Sequence, residues 1–422
     1  MKLNMKKNYS KQNGITLIAL IVTIVILLIL AGVTLNAVFS DNGIIKMARD
    51  AQTKTDQGMQ KDLEPMGELE DLINKNAGEN KGEEAVKIST MVGKGAVTKN
   101  TKAEDAYGNK ITIPKGFKVL ANGTATESAS YTYSGDNIPA VQDGIVIENG
   151  TDGNQFVWVP VGTIKNKDNK TSTITLGRYE FDRSTGALTS TTPAQVASVE
   201  NCTQAVTINN YYQELSTFRA GNDASDSTAQ NATARNLEEF ISTSLSNGGY
   251  YIARFEASGT TSKITSKYNQ TVLANITQPT AAKAAREMYG EVKENNKLIY
   301  ASDLVNSYAW DTAIIFIQTY GTGEDASDYA SKNKSTSFAN TGINNDRYCN
   351  IFDMSGNEYE WTTEYSTISG TGDFVRPCVF RGGCYDAGFG EAFSYTSHRN
   401  VCNATVSRSD YSFRPLLYVK WH

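Results

Sequence analysis

Residues 350–365 read "NIFDMSGNEYEWTTEY", a turn of small and polar residues leading into a run rich in aromatic and acidic ones. Gly356 permits a tight or left-handed turn. Asn357 can hydrogen-bond nearby backbone or join a calcium shell of oxygens. Trp361 brings a large apolar surface that needs burying. No Asp-x-Asp ladder of ligands stands nearby, so a core turn is the simpler reading. Glu358 and Glu360 sit two apart and share a face if the run is a strand. A glycosidase-type carboxylate pair would also need a sugar cleft, which the sequence does not announce.

Upstream lie short runs rich in Val, Ile and aromatics, bounded by Gly, Asn and Pro: "YGNKITIPKGFKVL" (107–120), "GIVIENG" (144–150), "NQFVWVPVGTI" (154–164) and "GGYYIARFEAS" (248–258). These read as strands. Helical spacing of apolar positions predicts helices over "TAAKAAREMYG" (280–290) and "SYAWDTAIIFIQTYG" (307–321). A third is expected near "ATARNLEEFISTSL" (232–245), inside a polar, mixed segment at 165–247 that reads as an insertion. Strands plus a few helices make α+β the expected class, in one domain over 107–422.

The amino end is of another kind. From Gln12 to Ser40 there is no charged residue, and residues 15–38 are long enough to cross about 30 Å of hydrocarbon as one helix. Lys2, Lys6, Lys7 and Lys11 precede it and should hold the amino end in the cytoplasm. Residues 39–75 read as a polar helical stalk broken at Pro65, and 76–106 as a charged, Gly-rich linker. The junction "KQNG|ITLIAL" places a basic leader and Gly14 directly against the apolar helix. It resembles the class III leader of type IV pilins and pseudopilins. That resemblance implies prepilin peptidase cleavage after Gly14, an N-methylated Ile15, and the pilus-assembly machinery as partner. The family's Glu at the fifth mature position is Ala19 here, which points to a minor pilin or a borrowed leader. The continuation "SDNGIIKMARDAQTKTDQ" (40–57) looks like that of pilin-like proteins of Gram-positive bacteria.

Net charge is −5 over 422 residues, with no basic block beyond the leader, so nucleic-acid binding has little electrostatic support. Cys202, Cys349, Cys378, Cys384 and Cys402 show neither CxxC nor Cys/His metal spacing. Disulfides are open to them outside the cell, and their odd number leaves one unpaired. His398 and His422 are the only histidines, and His398 reads as a lone surface or loop histidine.

The 350–365 run, followed by "VFRGGCYDA" and "SFRPLLYV", resembles the formylglycine-generating-enzyme family. "YYIARFEAS" with Glu256 and "SYAWDTAI" with Trp310 match its earlier elements, in order, from about residue 154 to the end. The resemblance implies an irregular C-type-lectin-like fold. In that fold Gly356, Asn357, Glu360, Trp361, Arg381, Gly382, Gly383, Phe413 and Arg414 are scaffold, and the carboxy-terminal segment faces ligand. The family's oxidase chemistry needs two cysteines closely following Arg-Gly-Gly. Counted from Arg381 those positions are Ala387 and Ala392, and "SHRNVC" (397–402) repeats His-Arg-x-x-Cys only if the loop is longer, so no catalytic residue is assigned.

Between Cys384 and Tyr411 there is no Lys, Leu, Ile, Met, Gln, Trp or Pro. Tyr385, Asp386, Phe389, Ser394, Tyr395, Thr396, Ser397, His398, Asn400, Asn403, Ser407 and Asp410 fill the segment among small residues. That is a paratope-like composition, with Tyr giving rigid contact area and Ser and Asn adaptable hydrogen bonds. The set also resembles the variable region of proteins diversified by retroelements, which share the lectin-like fold. The expectation is a surface-displayed, non-catalytic binder of an extracellular protein or glycan through 384–411. It needs no cofactor, calcium at Asn357 being the one cation considered. The alternatives are a formylglycine-generating-type oxidase and a structural minor pilin.

Overall fold

The structure, a computed structural model, describes residues 84–120, 139–216, 234–334, 337–344, 346–367, 377–385 and 395–421. The expected leader, membrane helix and stalk lie outside these residues. Among the described residues no helix is long and apolar enough to cross a membrane.

The core is a seven-stranded antiparallel sheet. Its spatial order is Glu291–Glu294, Lys297–Leu304, Pro415–Val419, Gly249–Ala253, Gln155–Pro160, Val146–Asn149 and Phe117–Val119. Side chains alternate between faces along a strand, and here both faces are covered. Val157, Val159, Tyr250, Ile252, Leu416 and Tyr418 join one apolar cluster, while Phe156, Trp158, Tyr251, Ala253, Leu417 and Val419 join another. This explains why "FVWV" is apolar without interruption: a strand buried on both sides has no polar face to alternate with.

Three helices cover the sheet, each started by a side-chain cap that satisfies an otherwise orphaned N–H. Asn236 accepts from Glu239 N–H at the head of Leu237–Asn247, and Gly248 in the left-handed region ends that helix. Thr277 caps Gln278–Glu287, with proline in its first turn, and Asn306 caps Ser307–Tyr320. The last of these is almost wholly buried.

A second sheet runs Tyr212–Gln213, Tyr359–Ser366, Cys378–Arg381, Arg399–Cys402, with Tyr411–Phe413 paired in parallel to Tyr359–Ser366. At Arg414 the chain steps from this sheet into the middle of the first. Trp361, Phe380, Tyr411 and Phe413 pack behind it against Ala281, Ala282 and Ala285 of the helix Gln278–Glu287.

Two boundaries differ from expectation. Residues 84–106 are not all linker: Val86–Lys87 and Thr101–Glu104 form a small sheet with Lys110–Ile113, and Ile88 and Ala103 are buried. Nor is 165–247 a self-contained insertion, because Leu176, Tyr179, Leu237 and Phe240 enter the main core.

Candidate functional site

Two groups of buried charges fix the carboxy-terminal segment. In the first, Arg381 and Arg399 face each other in register on neighbouring strands. Arg381 donates to Asp311 at 2.6 Å and to Glu364 at 3.4 Å. Arg399 Nε lies 3.1 Å from each Glu364 oxygen and its Nη2 also pairs with Asp311. Arg178 completes the set at 2.8 Å from Glu364. Burial alone would push the Glu364 carboxyl up; Arg399, Arg381 and Arg178 outweigh it and hold it at about 2. Glu214, next to this group, accepts from Ser307 N–H and the Thr363 hydroxyl, yet burial pushes it up to about 7.

The second group centres on Arg414, which donates to Glu360 at 2.6 and 3.0 Å and to the carbonyls of Ala253 and Phe352. Glu256 accepts from Asn357 Nδ2 at 2.5 Å and from Glu358 N–H at 3.0 Å. Burial, then the neighbouring Asp353 and Glu360, raises its pKa well above the usual range. Asn357 itself sits at φ 65°. Its side-chain Oδ1 accepts from Ala339 N–H at 3.0 Å and from Asn344 Nδ2 at 3.3 Å. Among the described residues no group of three or more His, Cys, Asp or Glu is placed to hold a metal. Gly356, Asn357, Glu360, Trp361, Arg381, Gly382, Gly383, Phe413 and Arg414 are all buried.

Glu358 stands apart. It is buried, neither carboxylate oxygen finds a hydrogen-bond partner among the described residues, and burial followed by the nearby Asp410 pushes it up to about 9. Glu358 and Glu360 therefore do not make a catalytic pair: one is a neutral acid at neutral pH, the other is committed to Arg414.

The segment expected to face ligand divides in two. Cys384, Ser397, Asp410 and Tyr411 are buried, which corrects the expectation that they are free contact surface. Tyr411 packs on Phe380 and Trp361, with ring centroids 4.7 and 4.9 Å apart. Asp410 is gripped by Arg408 at 2.8 and 3.0 Å, and the Ser397 hydroxyl donates to Gly186 O at 2.8 Å. Tyr385, Tyr395, His398, Asn400 and Asn403 are half-buried and Ser407 is exposed. Asp386, Phe389 and Ser394 lie outside the described residues, as do Ala387 and Ala392. His398 is no free surface histidine. Its ring packs between Tyr359 and Phe380, and burial, with Arg381 and Arg183 nearby, lowers its pKa to about 3, leaving a neutral imidazole.

Tyr395 and His398 line a small cleft of about 30 Å³ with Phe181, Arg183, Asn209 and Arg399. Its far wall is the turn 181–187, built on Asp182, whose Oδ1 accepts from the N–H groups of Ser184 and Thr185. The Tyr395 hydroxyl donates to Ser184 O at 3.2 Å. Gly186, at φ 71°, lets the Tyr395 ring approach so closely that a Cβ would lie 2.6 Å from it. Arg399 belongs to the floor and is locked by Glu364 and Asp311, whereas Arg183 is exposed and lies over the Tyr211 ring at 6.0 Å. Among the described residues, the cleft brings together the exposed Arg183 guanidinium, the Asn209 amide and the rings of Phe181, Tyr395 and His398.

Sequence reading missed Arg183 and Asn209, because they lie in the polar 165–247 segment far from the motif. It also missed Asp311. A lone acid inside "SYAWDTAIIFIQTYG" was the available signal, since a buried carboxylate demands a cation.

Residues 277–417 match the family described as the sulfatase-modifying factor enzyme 1-like domain, a narrower span than the sequence resemblance suggested. Residues 9–35 match the prokaryotic N-terminal methylation motif. No curated protein matches the chain. Solved structures with weak similarity include CarF (14% identity over 41% of this chain and 87% of that one, TM-score 0.29). Another is PvdO from Pseudomonas aeruginosa (12%, 65% and 98%, TM-score 0.31). A third is Treponema denticola variable protein 1 (15%, 64% and 97%, TM-score 0.24). The chain thus carries a type IV pilin-like methylation leader ahead of a sulfatase-modifying-factor-like domain.

Proposed function

We propose that this is a membrane-anchored, pilin-like surface protein whose carboxy-terminal domain binds a polar extracellular ligand, protein or glycan, without transforming it. The observation that carries the reading is the cleft between the turn 181–187 and residues 395–399. Half-buried Tyr395 and His398 and the exposed Arg183 meet there over a floor fixed by buried ion pairs. Adaptable groups on a rigid base are what a recognition surface requires. The leader supports processing at Gly14 and display outside the membrane, and the composition of 384–411 supports diversification of the exposed positions. The reading calls for no cofactor, and it is supported by Ala387 and Ala392 at the positions where the resemblance implies the family's cysteines.

The test uses the full chain in detergent against a panel of surface glycans and matrix proteins. Wild type is expected to retain a partner that the Arg183→Ala, Tyr395→Ala, His398→Ala triple variant loses at a temperature where circular dichroism shows both proteins folded. Equal retention by the variant overturns the site. Failure of wild type to retain any partner, combined with loss of filaments on deletion, favours the structural minor-pilin reading, which the inward packing of Cys384, Asp410 and Tyr411 already suits.

A further inference from the structure

The five cysteines are thiols in this structure, and two of them stand directly opposite each other. Cys378 and Cys402 are partners in the antiparallel register between Cys378–Arg381 and Arg399–Cys402. Opposed residues of an antiparallel pair point to the same face. Here that face is the cluster behind the second sheet: Cys378 belongs to it with Phe380 and Tyr411, and Cys402 packs against it. Direct partners lie about 4.5–5.5 Å apart at Cα, within the range of about 4.4–6.8 Å that a disulfide spans. Both sulfurs make long polar contacts, Cys378 with Gln278 Oε1 and Cys402 with the Tyr411 hydroxyl, each at 3.5 Å. Cys402 is half-buried, so an oxidant can reach one sulfur of the pair. Cys202 and Cys349 pack instead with the main core.

We propose that Cys378 and Cys402 form a cross-strand disulfide once the domain is outside the membrane, closing the base of the segment 379–401. The Cys402 thiolate attacks the disulfide of an oxidised thiol–disulfide oxidoreductase or of an oxidised small thiol, breaking its S–S bond and releasing one thiol. The Cys378 thiolate then attacks the mixed disulfide, forming the Cys378–Cys402 bond and releasing the second thiol. Two electrons pass from the protein sulfurs to the oxidant, and the two cysteine protons end on the released thiols. The leader gives the compartment: beyond the membrane, thiols meet oxidising partners and disulfides persist. The link ties together the two strands that carry Arg381 and Arg399, so it holds the cleft floor whether or not a ligand binds there. It is independent of the binding reading.

The full chain, extracted from membranes of cells exporting it, is alkylated under denaturing conditions and digested without reductant. Cleavage at Arg347, Arg381, Arg399 and Arg408 leaves Cys384 and Cys402 on their own peptides, while Cys378 shares 348–381 with Cys349 because Arg376 precedes proline; fragmentation of the linked peptide assigns the bridged residue. The expected map joins the Cys378 and Cys402 peptides and shows Cys202, Cys349 and Cys384 alkylated. Reduction should lower the thermal midpoint of wild type but not of Cys378→Ser or Cys402→Ser. All five cysteines alkylated, even after incubation with oxidised glutathione, overturns the proposal, and so does a link through Cys384. Should either variant fail to fold, the wild-type map still decides.

Discussion

Glu364 and Glu358 lie six residues apart and show opposite answers to burial. Glu364 is surrounded by three guanidiniums and held at about 2. A carboxyl lowered from its ordinary 4.5 contributes stability that is present above 4.5 and lost as pH falls toward 2. Glu364→Gln should therefore destabilise at neutral pH by about 3–5 kcal/mol, because it leaves buried cations unpaired, and should flatten the acid limb of a denaturation curve. Glu358 is raised to about 9 with no guanidinium to compensate. Its protonated form suits the fold, so its contribution is complete below 4.5 and is withdrawn as pH rises through 9. Glu358→Gln, a neutral isostere, should raise the thermal midpoint at pH 8 while changing little at pH 5. Urea denaturation of both variants between pH 3 and 9 separates the two signs. Nothing in "NEYEWTTEY" (357–365) distinguishes these fates: the sequence shows carboxylates, and only tertiary contacts with Arg178, Arg381 and Arg399 assign the charge.

Among the elements, the turn 181–187 and the strand Arg399–Cys402 illustrate what local pattern can and cannot reveal. Gly186 adopts φ 71° against the Tyr395 ring. Gly186→Ala should cost about 1–3 kcal/mol, since a left-handed conformation is strained with a Cβ present. Tyr395→Ala removes the ring that the new methyl meets, so the double variant should lose less than the two single losses added, as a double-mutant cycle in denaturant would show. The strands at 144–150, 154–164 and 248–258 and the three helices among the described residues were legible, because buried runs and helical spacing are local signals. The short strands at Val86–Lys87 and Tyr212–Gln213 were not. Two residues carry no periodicity, and both are defined by partners far along the chain. The same limit explains the tail. Its composition suggested an open surface, yet Tyr411 and Cys384 serve the aromatic cluster beneath it.

For the whole molecule, the leader and the head set separate requirements. The proposed processing at Gly14 draws on the basic leader and the apolar run behind it. Gly14→Val should leave the mature head unchanged in stability, while the isolated protein retains residues 1–14 and lacks a methylated Ile15, which an intact-mass measurement reads. The head's assembly is governed by a different feature. The strand Pro415–Val419 is inserted between Lys297–Leu304 and Gly249–Ala253, while Tyr411–Phe413, just before it, belongs to the other sheet. Until that strand docks, the principal sheet exists as two unjoined halves with raw edges. Contacts so distant in sequence make folding slow. On the proposed surface reading, a chain exported amino end first keeps this sheet open until residues 415–419 have crossed, which leaves it threadable until then.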